Sequence, residues 1–199
     1  LNPKKSKGVN LVSWNYTLRQ PKVAKGKTLA FGGFTSPRAP AGEYKVVIKK
    51  GRDTYEQSFV LSNDPTTSKE SSYFEAKHEL TMTLYDMTQE LAYMVYELDA
   101  LLELEKNKRL KSKLQDLKET LVITTGDNYV GAAEPQLREK MADLYAKVAE
   151  SYSKPSPNEK EFFEVVNLRF IEAKKSFQKL KEKSKADLSE LKTFEAFIA

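Results

Sequence analysis

The stretch APAGEYKVVIKKGRDTYEQSFVLSNDP, residues 39–65, decides how the chain divides. Residues 43–50 and 54–61 are rich in Val, Ile, Tyr and Phe and flank Gly51-Arg52-Asp53, the pattern of an antiparallel hairpin. Pro37, Pro40 and Gly42 place a turn just before it, with Pro40 fixing the entry and Gly42 free to take a positive φ. The hairpin stops at Asn63-Asp64-Pro65, and from there the apolar period changes from that of a strand to that of a helix.

Toward the N-terminus, residues 9–18 roughly alternate and residues 28–31 form a short apolar run, so the first third carries four expected strands. A complete immunoglobulin-like sandwich needs roughly seven. The expectation over residues 1–65 is therefore a small, incomplete immunoglobulin-like or fibronectin III-like β-sandwich with an unpaired edge.

Toward the C-terminus, Leu80, Leu84, Met87, Leu91, Met94, Leu98 and Leu101 alternate steps of four and three, the seam of a long helix over about residues 68–106. Leu110, Leu114, Leu117 and Leu121 form a second stripe, ended by the polar break at residues 124–128. Pro135 opens a third helix carrying Leu137, Met141, Leu144, Val148 and Tyr152, stopped at Pro155. A fourth carries Phe163, Val166, Phe170, Ala173, Phe177 and Leu180, with Leu188, Leu191 and Phe194 continuing the pattern. Helices with such short connections pack as antiparallel neighbours, so residues 66–199 are expected to form a four-helix bundle and the whole chain an α+β fold.

Charge divides at the same place. Residues 1–62 hold 12 Lys and Arg against 3 Asp and Glu, leaving 21 against 25 in residues 63–199. There is no cysteine, which excludes disulfides, a thiol nucleophile and a thiolate metal site. No apolar run approaches the roughly 20 residues that span a bilayer, and the first residues show no h-region or cleavage site.

Catalytic patterns fail one by one. Glu75 and His78 share a helix face, as di-iron bundles require, but those sites need two such pairs and the chain has one histidine. His78-Glu79-Leu80-Thr81 is followed by Met82 where a zincin helix places its second histidine. Gly26-Lys27-Thr28 resembles the end of a phosphate loop, yet Pro21 stands where the first glycine belongs. Asp99, Glu103 and Glu105 read as the solvated face of a helix, and Asn15-Tyr16-Thr17 is a formal glycosylation sequon inside an expected strand. The chain reads as a non-enzyme without cofactor or metal.

Binding is the remaining class. Lys22, Lys25, Lys27, Lys45, Lys49, Lys50 and Arg52, with Lys4, Lys5 and Lys7, form a basic set able to attract an acidic polymer. Lysine on edge strands also serves simply to block aggregation. No nucleic-acid motif or aromatic stacking set accompanies the charge, which disfavours nucleic acid as the partner.

Two motifs carry a family resemblance. Residues 8–15, GVNLVSWN with Trp14, resemble the G-x-N-x-v-x-W-D strand that follows the propeller in bacterial sortilin-like (Vps10-type) secreted proteins. Residues 36–44, SPRAPAGEY with Pro40, Gly42 and Tyr44, resemble that family's G-P-x-x-x-P-G-x-Y turn, and its hairpin also ends in an Asp-Pro step, here Asp64-Pro65. Asn15, Ser36 and Thr66 depart from the pattern, and Pro40 stands one residue before the motif's second proline. The resemblance implies a C-terminal accessory region in which the hairpin closes a sandwich. It also implies an upstream multi-bladed β-propeller with BNR-type repeats as partner, an extracytoplasmic location, and kinship with proteins labelled glycosyl hydrolases. A cell-surface protein or an acidic polysaccharide is the expected external partner. No catalytic residue carries over.

Overall fold

A computed structural model describes residues 6–28, 30–65, 71–125 and 134–199. The start of the first expected helix at residue 68, most of the polar break at 124–128, Thr66, Lys4 and Lys5 lie outside them. Among the described residues the fold is α+β: a two-stranded antiparallel sheet and five helices.

The hairpin forms as read. β1 (Gly42–Lys50) pairs with β2 (Asp53–Leu61) from Gly42↔Leu61 to Lys50↔Asp53. Its two-residue loop starts at Gly51, whose φ of 61° is the left-handed conformation that a type II′ turn demands there.

Among the described residues the other two expected strands do not form, Leu29 lying outside them. Residues 9–18 form no strand beyond a single bridge, Thr17↔Arg38, and Tyr16 at φ 58° breaks the alternation. In place of a strand over 28–31, Phe31–Phe34 makes a short 3₁₀ turn. The reason lies in where the backbone hydrogen bonds go. Lys27 N–H donates to Ile123 O at 2.7 Å, beside the helices, so this stretch has no strand to pair with. Among the described residues the sheet ends at two strands, short of a sandwich.

The helical part follows the stripes. α1 (Ser71–Leu104) buries Leu84, Met87, Leu91, Met94, Leu98 and Leu101. α2 (Lys108–Leu121) is capped by Asn107, whose side chain accepts from Arg109 N–H and Leu110 N–H. α3 (Leu137–Glu150) begins two residues after Pro135, with Gln136 as its cap, and ends before Tyr152. α4 (Pro157–Lys183) opens on a capping box in which Ser156 Oγ accepts from Glu159 N–H and Glu159 returns the bond to Ser156 N–H. The pattern at Leu188 and Leu191 is not helical, and α5 (Phe194–Ile198) is one short turn.

Helices α1 to α4 share one apolar core, in which α1 packs on α2 and α3 while α4 packs on both of those. Lys174–Glu90 and Lys181–Glu97 join α4 to α1, and Lys118–Asp99 joins α2 to α1. These pairs lie partly in solvent, so they fix alignment more than stability. α5 closes an aromatic cluster on α1, with Phe197 5.1 Å from Tyr96 and Phe194 5.5 Å from Tyr93, ring centre to ring centre.

Residues 20–28 and 30–38 form a strap across α3. Arg138, only 4% exposed, donates Nη1–H to Ala24 O at 3.0 Å and Nη2–H to Thr28 O at 2.9 Å. Its Nε–H donates to Glu139 Oε1 at 2.7 Å, and the other Glu139 oxygen accepts from Gln136 N–H. Gly32 lies directly on the backbone of Ala142. Tyr145, fully buried against Tyr85, donates its hydroxyl to Thr35 O at 2.9 Å.

Burial raises the Tyr145 phenol above its ordinary value, with the neighbouring Tyr85 adding to the effect. The neutral phenol is favoured by folding, so its contribution is complete below pH 10 and is lost as pH rises beyond that. Tyr145→Phe should therefore flatten the alkaline limb of the stability profile. At neutral pH the lost hydrogen bond should cost about 1 kcal/mol, and urea denaturation at pH 7 and pH 10.5 checks both effects.

Candidate interaction surface

The register divides the hairpin into two unlike faces. Tyr44, Val46 and Ile48 on β1 lie opposite Phe59, Gln57 and Tyr55 on β2 and form the apolar face. Glu43, Lys45, Val47 and Lys49 lie opposite Val60, Ser58, Glu56 and Thr54 and form the polar face.

Trp14 covers one end of the apolar face. Its ring centre is 5.5 Å from Tyr44 and 6.1 Å from Phe59, while those two rings stack at 5.8 Å. The indole N–H donates to Thr17 O at 2.9 Å, so Trp14 buries an apolar body without stranding its polar edge. Tyr44 O–H donates to Pro40 O at 2.7 Å. Trp14, Pro40, Gly42 and Tyr44 thus gather at this end of the hairpin, whereas Asp64 and Pro65 follow β2 as exposed chain. Trp14 is the only tryptophan. Removing either neighbour, by Tyr44→Ala or Phe59→Ala, should shift its fluorescence emission to the red while the helical circular dichroism stays unchanged.

The other end of the apolar face is bare. Val46 is 45% exposed, and Ile48 and Tyr55 are each 58% exposed. Among the described residues no strand pairs with the outer edge of either β1 or β2. Apolar side chains beside unpaired backbone donors and acceptors are what a strand or loop of another polypeptide would cover.

The basic residues do not form one patch on the hairpin. Lys45 pairs with Glu56 at 2.8 Å across the strands, Lys49 shares that polar face, and Lys50 lies opposite Asp53 beside Arg52 at the tip. With Glu43, the hairpin balances four basic side chains with three acidic ones. Lys22, Lys25 and Lys27 sit on the strap, where residues 19–27 carry Arg19 as well and no acid. Lys25 and Lys27 are exposed and Lys22 is half-buried.

His78 is half-buried on α1, and among the described residues no group of three or more His, Asp and Glu side chains is placed to hold a metal. Nearby, Lys77 donates to Ser151 O, and Arg38 lies over the Tyr152 ring at 4.2 Å. Burial, and then the charge of Arg38, lowers the Lys77 ammonium below its ordinary value. No described helix is long and apolar enough to cross a membrane. No protein-family model, curated protein or solved structure matches the chain.

The residues that sequence reading missed are those under the strap. Leu137, Met141, Leu144 and Val148 were visible as a stripe, but Arg138, Ala142, Tyr145 and Ala149 repeat the same spacing one residue on, and they too are buried. Two adjacent stripes mean a helix covered on two sides, which was the available signal.

Proposed function

We propose that the chain is a non-enzymatic interaction region, the C-terminal accessory part of a secreted bacterial propeller protein of the sortilin-like kind. In this reading the hairpin belongs to an immunoglobulin-like sandwich completed by strands of its partner, and α1 to α4 are an antiparallel four-helix bundle that carries it. The observation that supports it is the bare end of the hairpin: Val46, Ile48 and Tyr55 exposed beside two unpaired edges. Such a surface promotes aggregation unless something covers it.

The propeller and the extracytoplasmic location rest on the resemblance of residues 8–15 and 36–44. Reading the coding sequence upstream of Leu1 tests them. A signal peptide followed by propeller blades supports the proposal, and a start codon immediately before Leu1 overturns both parts.

A second reading, capture of an acidic polysaccharide, has its own observation in the acid-free strap with Lys25 and Lys27 exposed. It predicts salt-dependent retention on a heparin column that is lost when Lys22, Lys25 and Lys27 become glutamine. Retention lost instead when Lys45, Lys49 and Lys50 become glutamine would move the site to the hairpin, and no retention of the unaltered chain would end this reading.

A further inference from the structure

The core of the helical part uses only one side of α4. Val166, Phe170, Ala173 and Phe177 are buried there, while Phe162, Val165, Leu168 and Ile171 stand out in solvent, Leu168 at 61%. The outward side has a pattern of its own. Glu161, Val165, Leu168, Glu172, Lys175 and Lys179 follow one another in steps of four and three, and all six are exposed. This is the spacing of a helix-pairing seam, acidic at its amino end, apolar at Val165 and Leu168 and basic at its carboxyl end, with Glu172 between Leu168 and Lys175.

The charges point to the occupant. Glu161, Glu164, Lys175 and Lys179 enter no ion pair with another described residue, unlike Lys174 and Lys181, which are held by α1. In a helix lying antiparallel to its own copy about a two-fold axis near residue 170, residues on the same side of the seam meet when their numbers add to about 340. Glu161 then meets Lys179 of the copy, Val165 packs along the stem of Lys175, Leu168 along that of Glu172, and the two Leu168 side chains lie about one turn apart at the centre. Each contact occurs twice, as a two-fold interface requires. Acidic-first and basic-last order also suits the dipole of a single helix. The dipole does not account for Val165 and Leu168 exposed at seam spacing between those charges.

The geometry points to a second copy of this chain as the partner of α4, in an antiparallel homodimer centred near Leu168 and Glu172. This surface is separate from the hairpin, so the dimer can carry two hairpins to a partner.

Sedimentation equilibrium of the full chain tests this. The wild-type chain should self-associate, and Leu168→Glu should raise the dissociation constant on the order of tenfold or more. Leu168 is exposed, so at concentrations low enough for the wild type to be monomeric the thermal unfolding of that variant should match it, separating lost association from lost folding. Lys179→Glu should weaken the dimer, and adding Glu161→Lys should restore it. Glu172→Leu should tighten it by joining Leu168 at the centre. A chain that stays monomeric to millimolar concentration overturns the inference. So does a dimer indifferent to Leu168→Glu, or one broken only by charges placed at Val46 and Ile48.

Discussion

Replacing Arg138 with methionine should cost about 3–5 kcal/mol of stability, the range for removing one partner of a buried ion pair. The loss has an identified cause. Glu139 keeps its charge in a buried place, and Ala24 O and Thr28 O lose the donors that tie the strap to α3. Lysine should not rescue the site, because one ammonium cannot reproduce donation from Nε, Nη1 and Nη2 to three separated acceptors. The double variant Arg138→Met with Glu139→Gln should recover part of the loss by removing the stranded charge. Urea denaturation of the three variants measures the ordering. Limited proteolysis should show cleavage at Lys22, Lys25 or Lys27 in the single variant before the helices are cut.

The second large effect is expected at Gly32. A Cβ there would stand 2.1 Å from the carbonyl oxygen of Ala142, a backbone atom fixed within α3. Gly32→Ala should therefore lift the strap at a cost of about 3 kcal/mol, toward the upper end for overpacking because no side chain can swing away. Gly33 supplies the contrast, since its Cβ would meet Val23 Cγ2 at 2.3 Å. Gly33→Ala should be rescued by Val23→Ala, whereas no side-chain truncation beside Gly32 should rescue Gly32→Ala. Thermal unfolding of the single and paired variants separates the two cases. Equal rescue at both glycines would mean that the strap does not lie on the Ala142 backbone as described.

Both effects lie in the part of the fold that was least legible. The hairpin could be read from residues 39–65 because its information is local: alternation, a glycine at the loop, and a prolyl turn before it. The seam from Leu84 to Leu101 was legible for a similar reason, since a helix satisfies its own backbone and leaves the side-chain period to declare the core. Residues 9–18 and 28–31 look like strands in composition, but a strand exists only if another pairs with it. Here Thr17↔Arg38 is a single bridge, and Lys27 bonds to the chain after α2. That choice is made by contacts more than a hundred residues away, such as Arg138 to Ala24, and no local pattern encodes it.

The candidate surface was legible in part. Trp14, Pro40, Gly42 and Tyr44 were singled out from sequence and meet at one end of the hairpin. The lysines were singled out for their charge, and charge alone did not reveal that Glu56 sits beside Lys45 or that Lys25 and Lys27 belong to the strap. The bare apolar end followed from knowing the register. Only the register shows that Val46, Ile48 and Tyr55 share one face, and among the described residues no further strand covers them.

The bare end of the hairpin, if it is a docking surface, must bind a partner through Val46, Ile48 and Tyr55. The measurement is calorimetric titration of the full chain, and of a variant with Val46, Ile48 and Tyr55 all changed to serine, into a separately expressed β-propeller of the kind that the proposed function places upstream of Leu1. Saturable binding by the unaltered chain, lost in a variant whose helical circular dichroism is unchanged, is the predicted result. Equal binding by both chains, or none by either, would contradict it.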